Sequence, residues 1–147
     1  MFIEANQGPI TISNSTSCEN RNGSGIAGAN STDVALMDSV LYGNSRAQVT
    51  ITGDYERSVM NWETARSATL RSERWKLKGN VILSIDPAQL LLTTPDWRPF
   101  VGSLSSDANI WYKPGDARGF KIGNALLDFG QWRSTADVDA NSSFSGQ

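Results

Sequence analysis

Pairs of acidic residues are the first groups in this sequence that could do chemistry. Two carboxylates about 5–10 Å apart support glycoside hydrolysis, and three or more together with carbonyl oxygens can hold Ca²⁺. In an extended segment, Asp137 and Asp139 would point to the same side. Aspartates in turns more often bond the neighbouring backbone, so we expect structural roles and assign no cofactor, with Ca²⁺ as the alternative. The acidic pairs are Asp33 with Asp38, Asp54 with Glu56, and Asp137 with Asp139.

A run of basic residues is the second candidate. Alternation predicts that Arg74, Lys76 and Lys78 share one face of a strand, while Trp75 and Leu77 share the other. Guanidinium groups bind carboxylates in a bidentate manner, so a cationic face of this kind would suit an anionic polysaccharide. The simpler interpretation is a solvated strand face that keeps the protein soluble.

Aromatic residues near this run could stack on sugar rings. Tyr55 and Trp62 precede it, and Trp97 lies in a loop between two prolines. Trp75, Trp111 and Trp132 are instead expected in the core, because tryptophan gains much from burial. The predicted carbohydrate-binding residues are therefore Tyr55, Trp62, Arg74, Lys76, Lys78 and Trp97, and no residue is assigned a catalytic role.

The composition excludes several kinds of site. Histidine is absent, which excludes a Ser-His-Asp triad, a Cys-His pair and histidine-ligated zinc. The single cysteine, Cys18, excludes an intrachain disulfide. The net charge of −2 and the lack of a recognised module argue against a nucleic-acid partner. Apolar runs are much shorter than the roughly 18 residues of a membrane-spanning helix, so no membrane partner is expected.

The same composition predicts an all-β fold that would position these residues. Hydrophobic residues make up 39% and include five Trp, too many for a disordered chain. Abundant Asn, Ser and Gly favour turns over helix interiors. Residues 14–25 are predicted to form a loop, and residues 33–42 fit either a helix or two strands bent at Asp38-Ser39. Strands are predicted over 9–14, 48–52, 71–78, 81–85, 90–92, 109–112 and 120–122, with a strand running into a short helix over 125–132.

Recurrent turns leave two architectures open. Short strands ending at Gly43-Asn44, Gly79-Asn80 and Gly123-Asn124 fit a solenoid, in which each coil buries its inner face against the next one. A sandwich of about seven strands fits as well.

A resemblance near the C-terminal end favours the solenoid. The stretches Ser106–Tyr112 (SDANIWY), Leu127–Trp132 (LDFGQW) and Asp137–Ser142 (DVDANS) resemble the closing coils of right-handed parallel β-helix proteins of the polysaccharide lyase and glycoside hydrolase type. That family often continues with an Asp-Pro-hydrophobic step, whereas this chain runs Ser143-Phe144-Ser145-Gly146.

The resemblance implies one right-handed parallel β-helix domain of few coils over residues 1–147, with 133–147 as a surface-trailing tail. It implies the C-terminal part of a polysaccharide-degrading enzyme, not catalytic on its own, with an extracellular or cell-surface location favoured. The alternatives are a structural or adhesive module of the phage tailspike or surface-fibre type, and a small complete enzyme. An open N-terminal coil would expose unpaired strand edges, which predicts self-association there or a cap formed by residues 1–8.

Overall fold

The computed structural model describes residues 1–53, 55–95 and 98–146. These residues form an all-β structure with two short helices, as the composition predicted. In chain order the elements are β1 (Phe2–Glu4), β2 (Ile10–Ser13), β3 (Thr16–Cys18), β4 (Ile26–Ala29), β5 (Val34–Met37), β6 (Val40–Tyr42), β7 (Ala47–Thr52), β8 (Arg57–Asn61), β9 (Arg66–Leu70), β10 (Lys76–Lys78), β11 (Val81–Leu83), β12 (Leu90–Thr94), α1 (Arg98–Val101), β13 (Ser105–Asp107), β14 (Ile110–Tyr112), β15 (Phe120–Ile122), β16 (Ala125–Leu127), α2 (Phe129–Ala136) and β17 (Ser143–Ser145).

Three sheets contain most of the strands. Sheet A has the order β1-β4-β7-β12-β15-β16, sheet B the order β13-β10-β5-β2, and sheet C the order β17-β14-β11-β6-β3. Pairing is parallel throughout these sheets except between β15 and β16. The chain visits sheet A, then sheet B, then sheet C, and repeats this circuit. Each of the first four circuits therefore adds one strand to each sheet, whereas the last one adds β15 and β16 to sheet A and β17 to sheet C.

The corner between sheets B and C explains why residues 33–42 form two strands. Asp38 adopts a left-handed backbone conformation (φ 48°) between β5 and β6, and Ala108 (φ 55°) does the same between β13 and β14. One left-handed residue turns the chain sharply and ends the pairing of the strand. The two-strand interpretation bent at Asp38-Ser39 is thus confirmed.

A ladder of side chains connects these corners from one circuit to the next. The Ser39 N–H donates to Asn80 Oδ1 at 3.1 Å, and the Asn80 N–H donates to Asn109 Oδ1 at 2.9 Å. The Asn109 N–H then donates to Ser142 Oγ at 2.8 Å. These bonds satisfy backbone groups that the turns leave unpaired, which burial would otherwise make costly.

The core lies inside the three sheets and is closed by aromatic rings. Trp75 and Leu77 are buried, as their alternation with lysines predicted. The Trp75 indole crosses the interior to Gly28, where a Cβ atom on residue 28 would collide with Cζ2 of the indole. Phe120 stacks on Trp132 of α2, with ring centroids 5.2 Å apart. The last circuit is therefore covered by the helix.

Three segments differ from the sequence predictions. Residues 14–25 contain β3, so this stretch is not a continuous loop. Residues 55–66 contribute to an antiparallel hairpin of β8 and β9, of which the sequence predicted only the end of β9, as a strand region beginning at residues 68–70. The segment 133–147 does not simply trail along the surface, because it completes α2, buries Asp139 and adds β17 to sheet C.

Candidate functional site

The main insertions lie at the corner between sheets A and B. The hairpin β8–β9 is inserted between β7 and β10, and α1 is inserted between β12 and β13. At the hairpin base, Ser72 Oγ donates to the Thr52 carbonyl oxygen and holds the two ends together. A rigid scaffold carrying loops on one side is a common arrangement for binding sites.

The hairpin presents aromatic side chains to solvent. The Trp62 side chain at its turn is 91% exposed, and Tyr55 near its base is 60% exposed. Arg57 at the start of β8 contacts Glu4 of β1 at 2.6 Å, which ties the hairpin to the first strand of sheet A. An indole this exposed forgoes the burial from which tryptophan normally gains stability.

A polar cleft of about 450 Å³ lies beside the hairpin, and we name it the hairpin cleft. It is bounded by the loop after β1, the end of β9 and the segment leading into β10. Its lining residues are Gln7, Gly8, Thr32, Thr69, Leu70, Arg71, Glu73 and Arg74.

Thr32 carries an unused hydrogen-bonding group on the wall of this cleft. The residue is 8% exposed, and among the described residues its Oγ1 has no hydrogen-bond partner. A buried hydroxyl without a partner is costly and uncommon. This atom is itself buried, so it does not offer an exposed contact to a molecule in the cleft.

Arg74 reaches the hairpin cleft but is engaged by carboxylates of the protein. Its Nε and Nη2 donate to the two Asp33 oxygens at 2.7 and 2.9 Å, and its Nη1 contacts Glu73. Hydrogen bonding to Arg74 lowers the pKa of Asp33, and the same bond raises the pKa of Arg74. Arg74 precedes β10 in a left-handed conformation (φ 52°), so it does not lie on the strand with the lysines as predicted.

Lys76 and Lys78 lie on β10 and are exposed on the outer side of sheet B. Lys78 is in register with Asp107 of β13. Hydrogen bonds from the Asn141 side chain and backbone lower the pKa of Asp107, and Lys78 lowers it further. Neither lysine lines the hairpin cleft. The residues predicted to share one basic face are therefore separated, with Arg74 at the cleft and the two lysines on the outer side of sheet B.

The other predicted groups have separate positions. Tyr55 and Trp62 belong to the hairpin region, whereas Trp97 lies outside the described residues, as does Asp54. Asp33 and Asp38 lie at opposite ends of β5, and Asp33 is paired with Arg74.

The Asp139 carboxylate has a structural environment. It is fully buried between α2 and the last circuit, whereas Asp137 is the exposed left-handed C-cap of α2. Asp139 accepts hydrogen bonds from Ser106 Oγ, Asn109 Nδ2, Trp111 Nε1, Trp132 Nε1 and Ser142 Oγ. Because these hydrogen bonds come both from α2 and from the last circuit, the Asp139 carboxylate holds the helix against that circuit.

A second cleft, of about 690 Å³, reaches the start of the hairpin insertion, where Gly53 lines it. The polar residues that line it are Thr52, Thr93, Thr94, Asn124 and Thr135. Neither these residues nor Thr32 gave a sequence signal, because they come from different circuits and have common side chains.

Comparison with protein-family models, curated proteins and solved structures finds no match for this chain. Within the described ranges, no three acidic or cysteine side chains converge in a way that could hold a metal ion. The two helices of the described chain are too short to cross a membrane.

Proposed function

We propose that the chain forms closing circuits of a right-handed parallel β-helix. Three parallel sheets visited in a fixed order support this architecture, as do the side-chain ladder at the corner of sheets B and C and the helix over the last circuit. Apart from the antiparallel pairs β8–β9 and β15–β16, each strand pairs with the strand one circuit away, which is the neighbour relation of a solenoid.

The proposed function is binding of a polysaccharide, as the closing part of a polysaccharide-degrading enzyme that does not catalyse the reaction alone. The observation that carries it is the hairpin, which exposes Trp62 to solvent at its turn and borders a polar cleft at its base. The carbon-bearing face of a sugar ring is apolar and can pack on an indole, while its hydroxyl groups require polar partners. The hairpin supplies the exposed indole, and the cleft supplies the polar groups.

The charge of the cleft favours a neutral sugar over a strongly anionic one. Arg71 contacts Glu56 and Glu73, and Arg74 contacts Glu73 and Asp33. Two guanidinium groups therefore face three carboxylates. An incoming uronate would compete with these internal pairs, whereas a neutral sugar would leave them in place.

The position of the two clefts favours a polymer over a single sugar. Gly53 lines the larger cleft and Leu70 lines the hairpin cleft, and these residues flank the two ends of the hairpin. A chain of several sugar units could follow the corner of sheets A and B and contact both clefts.

A glycan-binding panel with matched neutral and uronate polysaccharides tests this proposal. Trp62→Ala should weaken binding by at least about tenfold, which corresponds to about 1.4 kcal/mol. Met60→Ala is the matched control, because Met60 is exposed on the same hairpin. Unchanged affinity in the Trp62 variant, or a panel that retains no glycan, would overturn the proposal.

The double variant Lys76→Ala/Lys78→Ala examines the predicted sheet B face in the same panel. Neutral glycans should bind as before, and added salt should change their affinity little, because an uncharged ligand makes no ion pairs for salt to screen. If the protein bound only uronates, and if this binding were lost in the double variant and in high salt, the binding site would lie on the face that carries Lys76 and Lys78. An ultraviolet assay on polyuronates should show no unsaturated product, since the isolated chain is proposed to be inactive.

A structural or adhesive module is the second candidate. The observation that favours it is an apolar row on the outer side of sheet C, formed by Val40, Val81 and Ile110 in register, with Tyr42, Leu83 and Tyr112 beside them. Patches of this kind commonly mark contact surfaces. A folded protein that retains no glycan would favour this function over polysaccharide binding.

A further inference from the structure

One carboxylate on the wall of the hairpin cleft contacts both of its arginines. Glu73 Oε2 lies 3.4 Å from Arg71 Nε, and Glu73 Oε1 contacts Arg74 Nη1. The other two acidic partners in the described chain contact one arginine each, since Glu56 pairs with Arg71 and Asp33 pairs with Arg74. The Glu73 side chain is also the least exposed of the three carboxylates, at 21% against 61% for Glu56.

The stack of circuits holds the backbone of Glu73 in place. Glu73 forms a parallel bridge with Thr32 of the preceding circuit, and its carbonyl oxygen accepts a hydrogen bond from the Asp33 N–H at 3.3 Å. Its carboxylate therefore reaches the cleft from a paired part of the backbone and not from the hairpin itself.

Arg74 is fixed on the side away from Glu73. Its Nε and Nη2 are bonded to the Asp33 carboxylate, and its backbone N–H donates to Ser103 Oγ at 3.0 Å. The remaining terminal nitrogen, Nη1, is the one that contacts Glu73. The position of this guanidinium group therefore does not depend on Glu73 alone.

These contacts place the Glu73 carboxylate where an acidic ligand would otherwise bind. Guanidinium groups form strong, directional hydrogen bonds to carboxylates. Arg71 and Arg74 both line the hairpin cleft, and so does Glu73. An acidic sugar would have to displace the Glu73 carboxylate from the two arginines and would also be repelled by it.

A second carboxylate separates the effect of position from the effect of net charge. Replacing Glu56 by glutamine changes the charge near Arg71 by the same amount as replacing Glu73. Glu56, however, is more exposed and has no contact with Arg74. Exposed charges interact weakly because water and salt screen them, so Glu56 is the matched comparison for Glu73.

We propose that Glu73 determines the charge specificity of the hairpin cleft, because its carboxylate occupies the place between Arg71 and Arg74 that an acidic sugar would need. Glu73 thereby restricts the cleft to neutral glycans. This inference rests on the proposed function, since it identifies the residue that excludes acidic sugars from the proposed glycan site.

Two forms of one polymer test this role: a polyuronate, and the same polyuronate with its carboxyl groups methyl-esterified, which removes the charge. Wild type should bind the ester more tightly. Glu73→Gln should raise the affinity for the polyuronate by about fivefold, the effect of a partly exposed ion pair, and high salt should remove this gain. Glu56→Gln, the control, should change the same affinity by less than about twofold.

The double variant Glu73→Gln/Arg74→Gln links the gain to the arginine. It should bind the polyuronate no better than wild type, because the guanidinium group that received the acidic sugar is gone. Circular dichroism and thermal denaturation of each variant report folding. The preference of wild type for the ester is measured without any variant.

The outcomes separate this inference from the proposed function. A folded Glu73→Gln variant that gains no affinity for the polyuronate, or an equal gain in Glu56→Gln, would overturn the role of Glu73. Tighter binding of the polyuronate than of the ester by wild type would also overturn it. In each of these cases Trp62-dependent binding of the ester would still support the proposed function. If wild type binds neither polymer, the proposed function fails, whereas a gain in Glu73→Gln would still support the role of Glu73.

Discussion

At the residue scale, the contact between Trp75 and Gly28 shows how a single missing side chain shapes the core. The indole fills the space in front of Gly28, and its Nε1 donates to the Ser31 carbonyl oxygen at 2.9 Å. The bulky ring is thus held by packing on one side and by a hydrogen bond on the other. A larger residue at position 28 would displace both interactions.

We expect Gly28→Ala to destabilise the protein by about 1–3 kcal/mol, because overpacking forces the ring and the backbone to shift. Urea denaturation followed by tryptophan fluorescence measures the change. Gly23→Ala is the matched control, since a Cβ at Gly23 meets nothing within 4 Å. Equal stability of the two variants would contradict this account of the core.

Asp139 is the second residue whose role is structural, although its sequence neighbourhood made it a candidate for catalysis. Asp139→Ala should cost about 3 kcal/mol or more, because it leaves several buried donors unpaired. Asp137→Asn should change stability little, since Asn also tolerates the left-handed conformation of this exposed C-cap. Thermal denaturation of both variants distinguishes the two positions.

At the element scale, the hairpin is an insertion that the sheets do not need. The strands on either side of it continue their pairing, with β7 bonded to β4 and β12 and with β10 bonded to β5 and β13. Thr52 and Ser72 already lie within hydrogen-bonding distance at its base. The scaffold and the proposed binding element are therefore separable.

Replacing residues 57–69 by a short glycine-serine turn, which retains the buried Leu70, should abolish glycan binding and leave the fold in place. Circular dichroism and thermal denaturation would report the fold, and the glycan panel would report binding. Exchange of the turn residues 62–65 alone, with the hairpin retained, is the control that separates Trp62 from the rest of the hairpin. A deletion variant that still binds would place the site elsewhere.

At the scale of the whole molecule, several carboxylates with lowered pKa link stability to pH. Hydrogen bonding to Arg74 lowers the pKa of Asp33, bonding from Asn141 lowers that of Asp107, and bonding from Arg118 lowers that of Asp116. The folded state thus holds these protons less tightly than the unfolded state. Their stabilising contribution is present above the ordinary aspartate pKa and is lost as pH falls through the lowered values.

We expect the free energy of unfolding to decrease as the solution is acidified below the ordinary aspartate pKa, by a small amount because these pairs are largely exposed. Asp107→Asn should reduce the slope of this decrease, since Asn carries no titrating proton. Urea titrations across a pH series measure both slopes. An identical pH dependence in wild type and variant would contradict the role of Asp107.

Local sequence patterns were sufficient for the all-β class and for several strands. Trp75 and Leu77 alternate with Lys76 and Lys78, and a strand has no other way to place apolar residues inside and charges outside. Alternation also located β7, and residues 125–132 were correctly predicted as a strand running into a short helix. These features depend on neighbours within a few residues, so the chain specifies them locally.

Local sequence patterns could not predict the contacts between residues of different circuits. The hairpin β8–β9 is exposed on most of its residues, so burial left no alternation to detect. Trp75 meets Gly28, and Asp139 meets Trp111, across separations that no local period encodes. The pairing of Arg74 with Asp33 likewise depends on which strands stack as neighbours. Composition and alternation therefore define the strands and their faces. The stacking of circuits brings together the lining of the hairpin cleft, the pair of Arg74 with Asp33 and the edge strands of the first circuit. Only the tertiary structure decides these features, because long-range contacts form when the chain folds back on itself.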